Sequence, residues 1–518
     1  MNGVNHLLGN KWKACFLGVF LGVAVIGSLA QTSTADSQSS SAQVDPTVRE
    51  LAQQVRELRA AIEEMRTEAA AYRAETAELR RELEATRTLS SGTAMSQPEP
   101  AVMPSANGNL ENRVAALEES TQLLNGKVDD QYQTKIESAS KYKVRLSGIA
   151  LLNLYSNHGA FDNNDFPTYV PQPTPFNSGT SLGATLRQSQ VGLEIFGPRL
   201  AGARVSGSVQ ADFSGGFPST LSGTNYGLFR LRTASMRMDW RNTSLVAGQD
   251  TLFLSPNSPT SFATLAVPAL SYAGNLWGWI PQIRVEHQFT IADDQNVTVQ
   301  AGLMDNITGE PPFVSYDRQK QAGEASGQPA YGVRIAWTHK LLRQPLTFGT
   351  AGYYSRQRWG FDRHVDGWAG MFDWAVPLSE RWSMSGEFYR GRAIGGLGGG
   401  IGRSTLYSGS IYNPATQILG LDSVGGWSQI KFRATSKLEF NGAVGVDNPM
   451  ADDVRAFPLA VSYYDPTLVQ NRGALVNFVY HARSNLLFSS EYRRLQTFVV
   501  DNGNQSAGQV NLMMGVLF

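Results

Sequence analysis

From about Val144 to the last residue, Phe518, the chain breaks into sixteen segments of roughly ten residues, each alternating in character, such as SQVGLEIF, VSGSVQADF, QIRVEHQF, NVTVQAGLM and YGVRIAW. A period of two is the strand period, because successive side chains point to opposite faces. The segments begin near Val144, Leu182, Ala201, Phe229, Ser244, Pro281, Asn296, Tyr331, Leu346, Gly367, Trp382, Gly426, Leu438, Gly473, Leu486 and Gly508. Between them, tight turns (GPRLAG, WRNT, TIADDQN, HKLLRQP, VPLSER, TSK, HARSN) interleave with longer connections of about 8 to 35 residues. Soluble sandwiches vary their loops without such strict alternation, whereas a barrel crossing a membrane has short turns at one end and long loops at the other. The expected fold is therefore all-β, a 16-stranded antiparallel transmembrane β-barrel, preceded by an α-helical coiled-coil segment.

The end of the chain fits this reading. In GQVNLMMGVLF, Val510, Leu512, Met514, Val516 and Phe518 share one face. A closed barrel in lipid leaves no strand edge, so the last strand must pair with the first. Phe518 then faces lipid at the rim with the short turns. Aromatics near strand ends, namely Tyr155, Trp240, Trp337, Tyr353, Trp374, Trp382, Trp427, Tyr480 and Tyr492, are expected to form interface girdles. Gly, at 51 residues, and aromatics, at 10%, suit twisted strands with aromatic anchors.

The N-terminal part reads differently. Lys11 and Lys13 precede the apolar run ACFLGVFLGVAVIGSLA, which ends in small residues before a polar stretch. That is secretory signal architecture, with cleavage expected near Ala30 and a signal peptide over 1–30. A retained anchor is the alternative. The one cysteine, Cys15, lies inside this run, so the mature chain would have neither disulfide nor thiolate chemistry.

Over 47–88, Val48, Leu51, Val55, Leu58, Ile62, Met65, Ala69, Tyr72, Thr76, Leu79 and Leu83 are spaced alternately by three and four. Such a seam predicts a coiled coil. Glu68, Glu75 and Glu82 each precede Arg73, Arg80 and Arg87 by five residues, the pairing that links parallel chains, so an oligomer is expected. A single solvated helix is the alternative. Residues 89–109 form a flexible linker rich in Pro, Ser and Gly, and 110–130 resume the heptad as a short second coil. The remainder, 143–518, is the expected barrel.

Three stretches carry a family resemblance. RQSQVGLEIFGP from Arg187, FRLRTASMRMDW from Phe229 and LVAGQD from Leu245 are similar to the DcaP-like trimeric porins of the bacterial outer membrane. The resemblance implies a coiled coil before the barrel, a homotrimer and passage of small anionic solutes such as dicarboxylates. The long loops match nothing placed in that family.

On each strand, residues opposite the apolar row face the lumen. That parity puts Arg145, Arg204, Arg237, Arg284, Glu286, Arg334, Lys431, Arg433 and Arg493 inside, with Glu194, Asp212, Asp239, Asp373, Glu387, Glu439 and Glu491. Arg187 shares parity with Val191 and Ile195, which predicts a bulge or a rim position. The third long connection, TLFLSPNSPTSFATLAVPALSYAGNLWGW from Thr251, contains no charged residue. An external loop of that length normally carries several charges, so this one is expected to fold into the lumen or against a neighbouring subunit. As a constriction loop it would present Thr251, Ser255, Asn257, Ser261, Tyr272 and Trp277. An arginine cluster of Arg230, Arg232, Arg237 and Arg284 would face it, each guanidinium able to hold a carboxylate by two hydrogen bonds.

Other chemistries find no support. Lysine plus arginine and aspartate plus glutamate balance at 44 each, so no sequence-wide field invites nucleic acid. GGLGGGIG lacks the following Lys-Ser/Thr of a phosphate loop, FDNNDF lacks the spaced ligands of a calcium loop, and the scattered histidines form no zinc pattern. No cofactor or metal is expected. The expected function is passive transport of small hydrophilic solutes through a channel surrounded by outer-membrane lipid, with the coil in the periplasm. The alternatives are a plugged barrel tethered to peptidoglycan through the coil, or a barrel hydrolase with a catalytic pair on its rim.

Overall fold

The computed structural model describes residues 135–136, 143–217, 227–309, 318–342, 344–457, 468–500 and 503–518. The expected signal peptide, both coils and the linker lie outside the described residues.

Sixteen strands cross in alternating directions: β1 Lys143–His158, β2 in two pieces (Thr180–Thr185 and Gln190–Leu200), β3 Ala203–Asp212, β4 Arg230–Asp239, β5 Thr243–Thr251, β6 Trp279–Ala292, β7 Gln295–Met304 and β8 Ala330–Leu341, then β9 Gln344–Arg358, β10 His364–Pro377, β11 Trp382–Arg392, β12 Asp422–Arg433, β13 Leu438–Pro449, β14 Leu468–Arg483, β15 Leu486–Val499 and β16 Asn504–Leu517. Each pairs with its sequence neighbours. The ring closes where β16 pairs β1, from Leu517 opposite Ile149 to Gly508 opposite His158. Phe518 completes the seam through paired main-chain bonds with Gly148, 2.8 and 3.1 Å. Its ring lies over Gly148, where a Cβ would sit 2.6 Å from the ring edge, so this position must remain glycine.

The two faces of the wall separate by parity. Ile283, Val285, Phe289, Val333, Ile335, Val444, Val476, Leu512 and Met514 are exposed on the outside. Near the tight turns, Trp337, Phe348, Phe372 and Trp374 form a ladder of rings at 6.4, 6.2 and 5.9 Å, and Trp382, Phe432, Phe440 and Phe478 continue it at 4.5, 6.4 and 6.5 Å. Amphipathic rings in that position suit a lipid–water boundary. Three of the expected girdle residues belong elsewhere: Tyr353 and Trp427 are buried in the lumen with hydrophobic clusters, and Tyr155 has the inward parity of the buried Asn153 and Asn157 on β1. Proximity to a strand end did not distinguish the two faces in these cases.

Two connections differ from their expected length. The link between β9 and β10, residues 359–363, is a tight turn in which the Trp359 N–H donates to the Arg363 carbonyl at 2.9 Å, and β15 ends at Val499 with β16 starting at Asn504. The expected strands are too short because SRQR at the end of β9 and NQSAG at the start of β16 carry no apolar row.

Two bulges redirect side chains. Between Ile149↔Gln190 and Asn153↔Thr185, residues 150–152 face residues 186–189, so β2 carries one extra residue and its parity flips. Arg187 consequently turns inward and pairs with Asp165 at 2.6 Å. In β4 the register shifts between Thr233 and Leu231, leaving Arg232 as the extra residue. Both Arg230 and Arg232 thereby reach Asp212.

Candidate constriction and lumen wall

The long connection between β5 and β6 runs along the inside of the barrel. Its ends, Leu252, Phe253, Leu254 and Leu276, pack with Met304, Ala351, Tyr353, Met371 and Tyr389 from β7 and β9–β11. Ala269, Leu270 and Ala273 pack on Trp427, Ala443 and Leu475 of β12–β14. Ala263, flanked by Phe262 and Leu265, meets Ile149, Leu151, Leu487 and Met513 of β1, β15 and β16. Gly274, at φ +100°, lies so close to the wall that a Cβ would approach the Gly426 carbonyl oxygen to 2.2 Å.

Polar tethers fix this path. Glu387 on β11 accepts from the Asn257 main-chain N–H at 2.9 Å and from the Ser255 hydroxyl. Gln429 on β12 accepts from the Thr260 N–H at 2.6 Å, and the Asn477 amide on β14 donates to the Thr260 carbonyl at 2.8 Å. Asn471 donates to the Tyr272 carbonyl at 2.8 Å. Gln188 donates to the Ala263 carbonyl at 2.9 Å and accepts from the Ala266 N–H at 3.0 Å. An amide side chain both donates and accepts, so it can replace the ladder partners that a loop backbone lacks.

The remaining loop residues singled out in the sequence take distinct places. Thr251 ends β5, and its carbonyl accepts from Gln282 at 3.0 Å. Ser261 and Thr264 approach the Arg493 guanidinium at 3.5 and 3.3 Å. The Trp277 ring meets Trp279 edge-on at 5.4 Å, and the Trp277 main-chain N–H donates to the Leu397 carbonyl of the β11–β12 connection at 2.9 Å.

The expected arginine cluster forms a file rather than one cradle. Arg230 holds Asp212 at 2.6 Å and the Ala266 carbonyl at 2.6 Å, while Arg232 reaches the Leu265 carbonyl at 2.7 Å. Both guanidiniums stack over the Trp279 ring, 5.0 and 4.5 Å from its centroid. Arg237 bonds Asp239 at 2.7 Å and Glu286 at 3.0 Å. Arg284 bonds Glu286 and Asp250, each at 2.8 Å. Gln300 links Glu286, at 2.9 Å, to Arg334, at 3.2 Å, and Arg334 grips Asp373 at 2.7 and 3.0 Å.

Exposure divides these cations. The side chain of Arg237 is 40% exposed, whereas Arg284 and Arg334 are 9% and 8% exposed. Arg493 is more enclosed still, 3% exposed and bonded to the fully buried Glu491 at 2.6 Å. Arg204 is exposed on β3 opposite Asp239, and Arg433 is exposed opposite Glu439. Lys431 bonds Glu439 at 3.1 Å. Arg493 and Arg334 therefore act as struts, while Arg237 and Arg204 present their charge to the lumen.

Parity alone could not reveal the amide tethers, although Asn153 in LLNLY and Asn477 in VNFVY are polar residues set among apolar ones. Nor does parity single out Asp250, which holds Arg284 at 2.8 Å. Among the described residues, no group of histidine, cysteine and carboxylate side chains could hold a metal ion.

No family model and no curated protein matches the sequence. Solved structures do. The crystal structure of the outer membrane channel DcaP of Acinetobacter baumannii superimposes with a TM-score of 0.58 at 17% identity, covering 74% of this chain and 100% of that one. The high-pH structure of Pseudomonas putida OprB gives 0.44 at 12% identity, over 72% and 94%, and an anion-selective porin from Comamonas acidovorans gives 0.42 at 10%, over 73% and 100%. The last two scores are too low to add to the first. The chain shares the barrel fold of that outer-membrane channel.

Proposed function

We propose that this protein is an outer-membrane porin, a water-filled channel through which small hydrophilic solutes diffuse passively, with solutes bearing one or two carboxylates favoured. The observation that carries the reading is the division of the closed wall: an outward apolar belt with an aromatic ladder, and an inward face of charged residues beside a loop that bears none. A charge-free loop tethered along one arc of the lumen narrows the passage without adding a field of its own. The field then comes from the β3–β8 wall, where Arg237 and Arg204 are the most accessible cations. Arg237 already holds two carboxylates, so a solute carboxylate exchanges with existing bonds, which suits transit better than capture.

Three copies of the chain, joined through the heptads of 47–88, are the assembly this reading favours, with the coil in the periplasm and within reach of peptidoglycan. The plugged-barrel alternative draws on one observation, the number of bonds holding the β5–β6 loop inside the barrel. Swelling of proteoliposomes in sugars and in dicarboxylate salts tests the proposal. Solute-size-dependent swelling is the expected result; vesicles as tight as protein-free controls would favour the tether.

A further inference from the structure

Outward-facing arginines are unusual on a wall that meets lipid, because a guanidinium in hydrocarbon is costly at depth and tolerable near headgroups. Arg472 on β14 and Arg494 on β15 both point outward and are exposed, near the end that carries the long connections. Arg472 is opposite Gln496 and Arg494 opposite Ala474, so the two arginines are diagonal neighbours on one face, about 7–8 Å apart between Cα atoms. Among the described residues neither has a carboxylate partner; Arg472 instead lies 4.7 Å over the Phe498 ring, which fixes its position. The contrast is Arg390, also outward, which pairs with Asp422 at 3.3 Å.

Both arginines line a groove of about 780 Å³ on the outside of β11–β15. The rest of its lining includes Phe388, Val424, Val444 and Ala474, an apolar trough leading away from the two charges towards Trp374 in the aromatic ladder. A cationic pair at the headgroup end and an apolar trough down the belt match one class of ligand. It must carry an anionic phosphate and an acyl chain together.

We propose, resting on the outer-membrane reading, that this groove holds a phosphorylated lipid of the outer leaflet, its phosphate clamped between Arg472 and Arg494 and one acyl chain lying along the trough. Two guanidiniums can share one phosphate through charge-assisted hydrogen bonds, which are short and strong where water is scarce. Charge complementarity selects this occupant over a second copy of the chain, which would have to bury two cations against its own apolar belt.

Native mass spectrometry of the full chain, released from phosphatidylcholine nanodiscs doped with bisphosphorylated lipid A, tests the assignment. Dephosphorylated lipid A and inorganic phosphate serve as parallel probes. One phosphorylated lipid retained per chain is expected, with retention at least tenfold weaker for the dephosphorylated lipid and for the Arg472→Gln/Arg494→Gln protein. Arg390→Ala should retain the lipid as the unchanged protein does. Equal retention of the two lipids, or undiminished retention by the double variant, would overturn the proposal. So would inorganic phosphate binding as tightly as the lipid, which would make this a free-anion site, or loss of the oligomer with lipid still held, which would make it a subunit contact. Heat-dependent electrophoretic mobility reports whether the double variant is folded; if it is not, comparison of the two lipids on the unchanged protein still decides. Conductance in bilayers free of lipid A is measured separately, so failure of the lipid site and failure of the channel reading are told apart.

Discussion

Two arcs of one barrel wall use their inward polar residues in different ways. From β3 to β8 these residues are mainly charged and pair with one another in two groups, Asp212 with Arg230 and Arg232, and Arg237 through Glu286 to Arg284 and, by way of Gln300, to Arg334. From β11 round to β2 they include Gln429, Asn471, Asn477, Asn153 and Gln188, which bond to the backbone of the loop. Charges keep their field in the lumen only if they are not consumed by structure, and amides hold a backbone without adding a field. The proposed selectivity and the constriction thus draw mainly on different arcs, and they meet where Arg230 and Arg232 of β4 hold the Ala266 and Leu265 carbonyls of the loop.

The strongest disturbance is to remove the constriction. Deleting residues from Pro256 to Gly274 takes away what the amide arc holds and leaves the strand ladders whole. Single-channel conductance should rise several-fold while ion preference falls; unchanged conductance would place the narrowest point elsewhere.

A second comparison sets a strut against an accessible cation. Arg493→Ala would strand Glu491, buried and unpaired, at a cost of about 3–5 kcal/mol. Arg237→Ala, at a side chain 40% exposed, should cost no more than about 1 kcal/mol, since solvent screens such pairs. Urea-unfolding midpoints in detergent would show the difference, and equal losses would contradict the division into struts and accessible charges.

Glu387 probes the tether itself. Replacing it with Gln exchanges a carboxylate that accepts from Ser255, Asn257 and the Trp427 indole for an amide with a single acceptor oxygen. One donor is left unmet, at about 1–3 kcal/mol. Open-channel noise should increase with little change in mean conductance.

The smallest effect lies outside the membrane, in the β7–β8 connection. Glu324, held below the usual carboxylate range mainly by bonds from the Gln321 N–H and Arg318 against an opposing desolvation, stabilises the fold above its unfolded value and loses that contribution as pH falls through its lowered value. Asp305 is raised by burial and by Glu324, so its contribution has the opposite sign, present in acid and lost as pH rises through its raised value. Protection against hydrogen exchange at residues 321–327, taken relative to the intrinsic rate, should fall as pH drops below the ordinary carboxylate range, and Glu324→Gln should abolish that dependence.

Much of the barrel was legible because parity is a local property. Every strand starts within a few residues of its expected position, from Lys143 to Asn504, and the seam at Phe518 follows from the requirement that no edge remain in lipid. Less was legible wherever one residue breaks the period. The bulge at Arg232 puts both Arg230 and Arg232 on Asp212, although strict alternation along β4 cannot place 230, 232 and 237 on one face. Tyr353 and Trp427 show the same limit, since an aromatic near a strand end satisfies either a girdle or a packed lumen. The tethers depend on which wall residues the loop passes, a property of the closed ring that no single strand carries.

The reversal potential of the purified oligomer in a planar bilayer under a salt gradient tests the central claim most directly, measured for the unchanged protein and for Arg204→Glu/Arg237→Glu. The account predicts stepwise openings with anion preference, reversed or abolished in the double variant. Cation preference in the unchanged protein, or a preference indifferent to those two charges, would contradict it.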